Sequence, residues 1–160
     1  MYTFLPFASF AKSAAALDSG RLYRQVFDCK RIILAQLDPQ VGHQTHRSKT
    51  MWNGHTRSLC VFAIALIDEA TSRGIAISPY ERRWLQVALE SYRKDAPRVP
   101  WWLGDSRLHS SHRAALKRRD PHYYRAFTER TDMLLWWPHV QDAKTSPCAS
   151  VQRSPQLVLC

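Results

Sequence analysis

With 160 residues, 45% of them hydrophobic, the chain can form one domain around a buried core. Its 23 Lys and Arg against 13 Asp and Glu give a net charge of +10 and a pI near 9.9, which points to a polyanionic partner; the bland alternative is scattered charge that only aids solubility. The longest apolar run, Leu59 to Ile67, is too short to cross a bilayer, and the chain start lacks the charged lead of a secretory signal, so no membrane partner is expected.

The pattern predicts helices almost throughout. MYTFLP is a short apolar opening, and Phe7 to Leu17 is alanine-rich and helical. Gly20 is expected to break the chain before a second helix over Arg21–Leu37, whose buried face is Leu22, Val26, Cys29, Ile33 and Leu37. A polar loop follows over 38–50. A long helix is predicted from Met51 to Arg73, apolar enough to be central and stopped by Gly74. Ser78-Pro79-Tyr80-Glu81 reads as a capping box opening a helix to about Lys94. Asp105 caps another, to Arg119, and Asp120-Pro121 signals a short last helix. After Pro138 the periodicity disappears. The expectation is an all-α bundle, with a domain over 1–140 and a disordered tail over 141–160.

The four cysteines form no CxxC and share no metal-ligand spacing; Cys29 and Cys60 read as core, which favours a reducing cytoplasm. His109-x-x-His112 has a spacing that zinc sites use, but no carboxylate stands one turn away, and His43 or His55 would complete a set only by tertiary coincidence. Neither a metal nor a cofactor is expected. On a helical wheel His109, His112, Arg113 and Lys117 share one broad face, suited to phosphate oxygens or to simple solvation. Tyr123 and Tyr124 could stack on unstacked bases, although one of the pair should be a core anchor. Asp18, Arg21, Gln25 and Asp28 form a polar stripe on the second helix, close to the chain start; salt bridging along the helix is its plain reading. Trp101-Trp102 and Trp136-Trp137 are read as locking loops onto the bundle.

Taken in order, several motifs resemble the pyrimidine dimer DNA glycosylases, the phage endonuclease V type and its bacterial relatives. These are Met1-x-Thr3-Phe4-Leu5-Pro6, Leu17-Asp18 with Arg21-Leu22 and Gln25, Met51-Trp52-x-Gly54-His55, and Arg73-Gly74. Pro100-x-Trp102-Leu103-Gly104-Asp105, Leu108-His109-x-Ser111-His112-Arg113, Arg119-Asp120-Pro121 and Tyr124 complete the series. The resemblance implies an all-α fold whose N-terminal segment threads between helices. It also implies a glycosylase and AP lyase in which the α-amine of the chain forms a Schiff base with C1′ of a damaged nucleotide. The partner it implies is double-stranded DNA carrying damaged or modified pyrimidines, bound by a monomer in the cytoplasm, on the nucleoid or in the host of a phage.

Carried over residue by residue, Arg21 corresponds to the arginine before the family's catalytic glutamate. Leu22 then stands where the glutamate would be, and Gln25 where the next arginine would be. The expected catalytic set is therefore Met1, Thr3 and either Asp18 or Asp28. The expected DNA contacts are Arg21, Arg24, Gln25, His55, His109, His112, Arg113, Lys117, Tyr123 and Tyr124. A non-catalytic DNA-binding module that kept the fold and lost the acid is the alternative.

Overall fold

The computed structural model describes residues 2–38, 40, 46–93 and 99–138; among them are six helices and no strand, as the all-α reading expects. Helix α1 (Phe10–Ala16) opens at Ser9, whose hydroxyl accepts the Lys12 N–H. Helix α2 (Ser19–Leu37) opens at Asp18, whose carboxylate accepts the Arg21 N–H at 3.0 Å. Gly20 therefore lies inside the first turn of α2 rather than at a break. The break is the extended Leu17, and the aspartate cap outweighs the weak helix propensity of one glycine.

The helix expected over Met51–Arg73 begins only at Thr56, as α4 (Thr56–Ser72), while Met51 ends a separate short helix, α3 (Arg47–Met51). The turn between them passes through Gly54 at φ 73°, a left-handed conformation that a side chain resists. At the other end of α4, Gly74 N–H bonds Thr71 O and Ile75 N–H bonds Ala70 O, a Schellman stop at the predicted glycine. Helix α5 (Pro79–Ser91) begins with Pro79 at its first position and Ser78 as cap, three residues short of its expected end at Lys94, which lies outside the described residues. The Glu81 carboxylate binds Lys30 Nζ at 2.8 and 3.0 Å, so this half of the capping box serves α2 instead.

Helix α6 (Ser106–Arg119) has the Asp105 cap and the predicted end. The short helix expected after Asp120-Pro121 is a run of turns over 121–126, because Tyr124 is drawn inward and its hydroxyl is tied to Asp18. The expected disordered tail, 141–160, lies outside the described residues, as do residues 39 and 41–45 of the expected polar loop; the end of that loop, 47–50, is helical instead and belongs to α3.

Helix α4 packs against α1, α2 and α5. Its Leu59, Cys60, Phe62, Ala63 and Leu66 are fully buried with Leu22, Val26, Cys29, Ile32 and Ile33 of α2. Burial raises the Cys60 thiol to about 12 and pushes Cys29 up as well, so both behave as small apolar core groups. Leu37, expected in the core, is exposed at the last position of α2. Trp52 and Trp102 meet edge to face at 4.8 Å in the centre, which bears out the locking role for Trp102. Among the described residues no helix is long and apolar enough to cross a membrane.

The N-terminal segment threads between α2 and α6. Thr3, Phe4, Leu5 and Pro6 are buried although they belong to no helix or sheet. Buried backbone groups need partners, and here helix side chains supply them. Gln25 of α2 takes both polar groups of Phe4, while His109 and His112 of α6 take both of Leu5.

Candidate active site and nucleic-acid interface

Residues 18, 21, 25 and 28 recur at helical spacing, so one face of α2 carries them all beside the N-terminal segment. Together these elements line a cavity of about 580 Å³. Asp18, Arg21, Arg24, Gln25 and Asp28 come from α2 and its cap. Tyr2 and Phe4 come from the N-terminal segment, and Arg119 from the end of α6.

The two candidate acids differ in what surrounds them. Asp18 is fully engaged: Arg21 Nη1 at 2.5 Å, the Arg21 N–H at 3.0 Å and the Tyr124 hydroxyl at 2.7 Å all donate to it. Burial works to raise its pKa, but the hydrogen bonds from Arg21 and Tyr124 prevail and hold it below the ordinary value. It is a fixed anion that caps α2. Asp28 is buried at the cavity, with two long contacts: the Tyr2 N–H at 3.4 Å and the exposed Arg31 at 3.8 Å. Its carboxylate therefore keeps capacity to accept from a ligand, next to the start of the chain.

The cations divide in the same way. Arg21 is paired with Asp18 and lies over the Tyr124 ring at 5.6 Å. Arg24 and Arg119 line the cavity, and among the described residues no carboxylate pairs with either. Arg119 packs over Phe4 at 4.8 Å and Tyr2 at 5.3 Å, and partial burial holds its pKa below the usual value. Arg24, Arg119 and Asp28 thus make a site with two guanidinium groups unpaired among the described residues and one available carboxylate, suited to an anionic ligand that also offers a donor or a positive charge. No sequence spacing links Arg119 to this group. The basic run at the end of α6 was visible in the sequence, but its meeting with Phe4 depends on tertiary approach.

Other sequence-derived candidates lie elsewhere. Met1 is outside the described residues. Thr3 points into the core, where its hydroxyl accepts from Trp52 Nε1 at 3.0 Å. Gln25 lines the cavity, but its amide already binds Phe4 at 2.7 and 3.0 Å. His55 caps α4 beside Trp102 and does not line the cavity. Tyr123 is half exposed, whereas Tyr124 is the buried anchor of the pair.

The expected outward face of α6 is corrected. His109 and His112 are buried and bind Leu5; Arg113 binds Glu129 Oε1 and Pro6 O, both at 2.6 Å; Lys117 Nζ binds Phe127 O at 2.6 Å. These groups hold the threaded segment and the loop after α6, so their polar atoms are engaged within the protein. Desolvation lowers both histidines, His112 to about 3 with help from His109 and Arg119, which keeps the two rings neutral. Among the described residues, no group of three His, Cys, Asp or Glu side chains is placed to share a metal ion.

A family model described as pyrimidine dimer DNA glycosylase matches residues 1–81, just over half of the chain. The matched span carries the N-terminal segment and the whole α2 contribution to the cavity; α6 lies beyond it. No curated protein and no solved structure matches the chain.

Proposed function

Since the chain belongs to the pyrimidine dimer DNA glycosylase family, we propose that it excises damaged or modified pyrimidines from DNA by covalent chemistry of its N-terminal amine. An α-amine has a pKa near ~8, so part of it is neutral and nucleophilic at pH 7. The amine of Met1 attacks C1′ of the deoxyribose. The N-glycosidic bond breaks, and the base leaves with the electron pair and takes up a proton. Opening of the C1′–O4′ bond leaves an imine between the amine and C1′. Removal of a C2′ proton then expels the 3′ phosphate and nicks the strand.

Asp28 is the acid partner. It stabilises the sugar as positive charge develops and relays the protons. Leu22, at the position of the family glutamate, is fully buried in the core, so a different turn of α2 supplies the carboxylate. Arg24 and Arg119 hold the phosphates flanking the extruded nucleotide, with a damaged base easier to flip than a paired one. The protein works on DNA in the cytoplasm as a monomer. The observation that carries this reading is the contact of the Asp28 carboxylate with the Tyr2 N–H beside the two unpaired arginines.

The test is borohydride trapping on DNA containing an abasic site or a cyclobutane dimer. A covalent adduct is expected with the wild-type protein and not after the Met1 amine is blocked. The Asp28→Asn variant should bind the same DNA but lose trapping and nicking by about 100-fold or more. Tight binding without an adduct at any pH would leave a non-catalytic DNA-binding module instead.

A further inference from the structure

The threaded N-terminal segment is held in an unusual way. Its two central residues, Phe4 and Leu5, have no strand beside them, yet all four of their backbone polar groups are bonded to side chains. Phe4 N–H donates to Gln25 Oε1 at 2.7 Å, and Gln25 Nε2 donates to Phe4 O at 3.0 Å. Leu5 N–H donates to His112 Nδ1 at 2.8 Å, and His109 Nδ1 lies 2.7 Å from Leu5 O.

These bonds dictate the tautomers. Gly104 N–H donates to His109 Nε2 at 3.0 Å, so the His109 proton sits on Nδ1 and is given to Leu5 O. His112 accepts at Nδ1, so its proton sits on Nε2, which is buried and has no partner among the described residues. Two histidines one turn apart on α6 thus hold opposite tautomers, one donating to Leu5 and one accepting from it. Leaving the Nε2–H of His112 unpaired is unfavourable by itself. A leucine would fill the same space without that penalty but could not accept the Leu5 N–H.

We propose that Gln25, His109 and His112 are positioning residues that fix the register of the N-terminal segment, so that the amine at the chain start is delivered to Asp28. The proposal rests on the amine chemistry put forward above, and it explains why polar side chains fill the inner faces of α2 and α6. Slippage of the segment by one residue would put Leu5 or Thr3 in the place of Phe4 and carry the amine some 3 Å away from Asp28. A misplacement of that size costs a large part of a proximity-driven rate.

The test combines nitrogen-15 NMR of the histidines, hydrogen exchange at the Phe4 and Leu5 amides, and trapping kinetics on abasic DNA. The wild-type protein should show a protonated Nδ1 on His109, a protonated Nε2 on His112, and slow exchange at both amides. Gln25→Leu and His112→Leu should speed that exchange and slow trapping at saturating DNA by about tenfold or more. For His112→Leu the DNA dissociation constant should stay within about threefold, because the buried ring lies outside the cavity lining. His112→Asn, whose Oδ1 falls near the original Nδ1, should recover trapping relative to His112→Leu; it also carries the test if the leucine variants do not fold.

Fast amide exchange in the wild type, the reverse tautomers, or full-rate trapping in a variant with freed amides would overturn the proposal. So would a loss confined to DNA affinity. If the wild type forms no adduct, the amine reading falls separately. The positioning role is then decided by exchange alone: slow amides that Gln25→Leu releases uphold the fixed register, and fast ones refute it.

Discussion

Arg119 and Arg113 are six residues apart on one helix, yet their surroundings give them opposite tasks. Arg119 has two aromatic rings beneath it and, among the described residues, no carboxylate opposite, so its charge is available to an anion at the cavity. Arg24, on the cavity wall contributed by α2, is equally unpaired among the described residues. Replacing either with alanine should weaken DNA binding similarly across sequences. It should also shallow the plot of log affinity against log salt by about one, the signature of one lost phosphate contact. Binding titrations over a range of salt concentrations check this, and an unchanged slope in both variants would place the DNA elsewhere. Arg113 instead joins α6 to Glu129 and to the Pro6 carbonyl, with only a fifth of its side chain exposed. Arg113→Ala strands a shielded Glu129 carboxylate and frees Pro6 O. It should lower stability by about 2–3 kcal/mol in urea unfolding while leaving the salt slope of DNA binding unchanged. A slope shallower by about one would return Arg113 to the interface.

At the level of elements, both α2 and α6 were legible as helices, but the sequence told which face is buried only for α2, for one physical reason. On α2 the apolar positions face the bundle, and the polar stripe at 18, 21, 25 and 28 turns to the cavity, so helical periodicity separates core from site. On α6 the buried residues include His109, Ser111 and His112 alongside Leu108 and Leu116. The hydrophobic pattern assumes that what lies inside is apolar. An extended segment inside a helical fold breaks that assumption, because its unpaired N–H and C=O groups demand polar side chains from the helices around it. The i, i+3 histidine spacing was visible, but its direction depended on Leu5, more than a hundred residues away. The split between α3 and α4 was equally hidden, since Gly54 reads as a tolerated helix residue until its φ of 73° is seen. Arg119 could be recognised as basic; only the approach of α6 to Phe4 makes it part of the site.

For the molecule as a whole, burying two neutral histidines against a threaded segment ties folding to pH. His112 has an ordinary pKa of 6.5 in the unfolded chain and about 3 in the folded one, lowered by burial and then by His109 and Arg119. Its ring also packs near Phe4 and Trp137, which offer no counter-charge. Above pH 6.5 both states are neutral and the residue contributes nothing to the pH dependence. Below it the unfolded chain binds a proton that the folded chain refuses, so stability falls with pH until the folded ring protonates near 3. The limiting slope is about 1.4 kcal/mol per pH unit for His112, and the total loss is on the order of 5 kcal/mol. His109, lowered in the same direction by burial, adds to this. Asp18 acts in a lower window: its folded pKa lies below 3.8, so its contribution is present above that value and fades only as pH falls through the folded pKa. Urea unfolding between pH 7.5 and 4 therefore separates the two, with a decline beginning near 6.5 assigned to the histidines. His112→Asn, which does not titrate, should flatten that decline without abolishing the contribution of His109. A stability that stays constant from pH 7 to 5 in the wild type would mean that these rings are not held neutral. The opposite-tautomer bonds to Leu5 could not then be what anchors the segment.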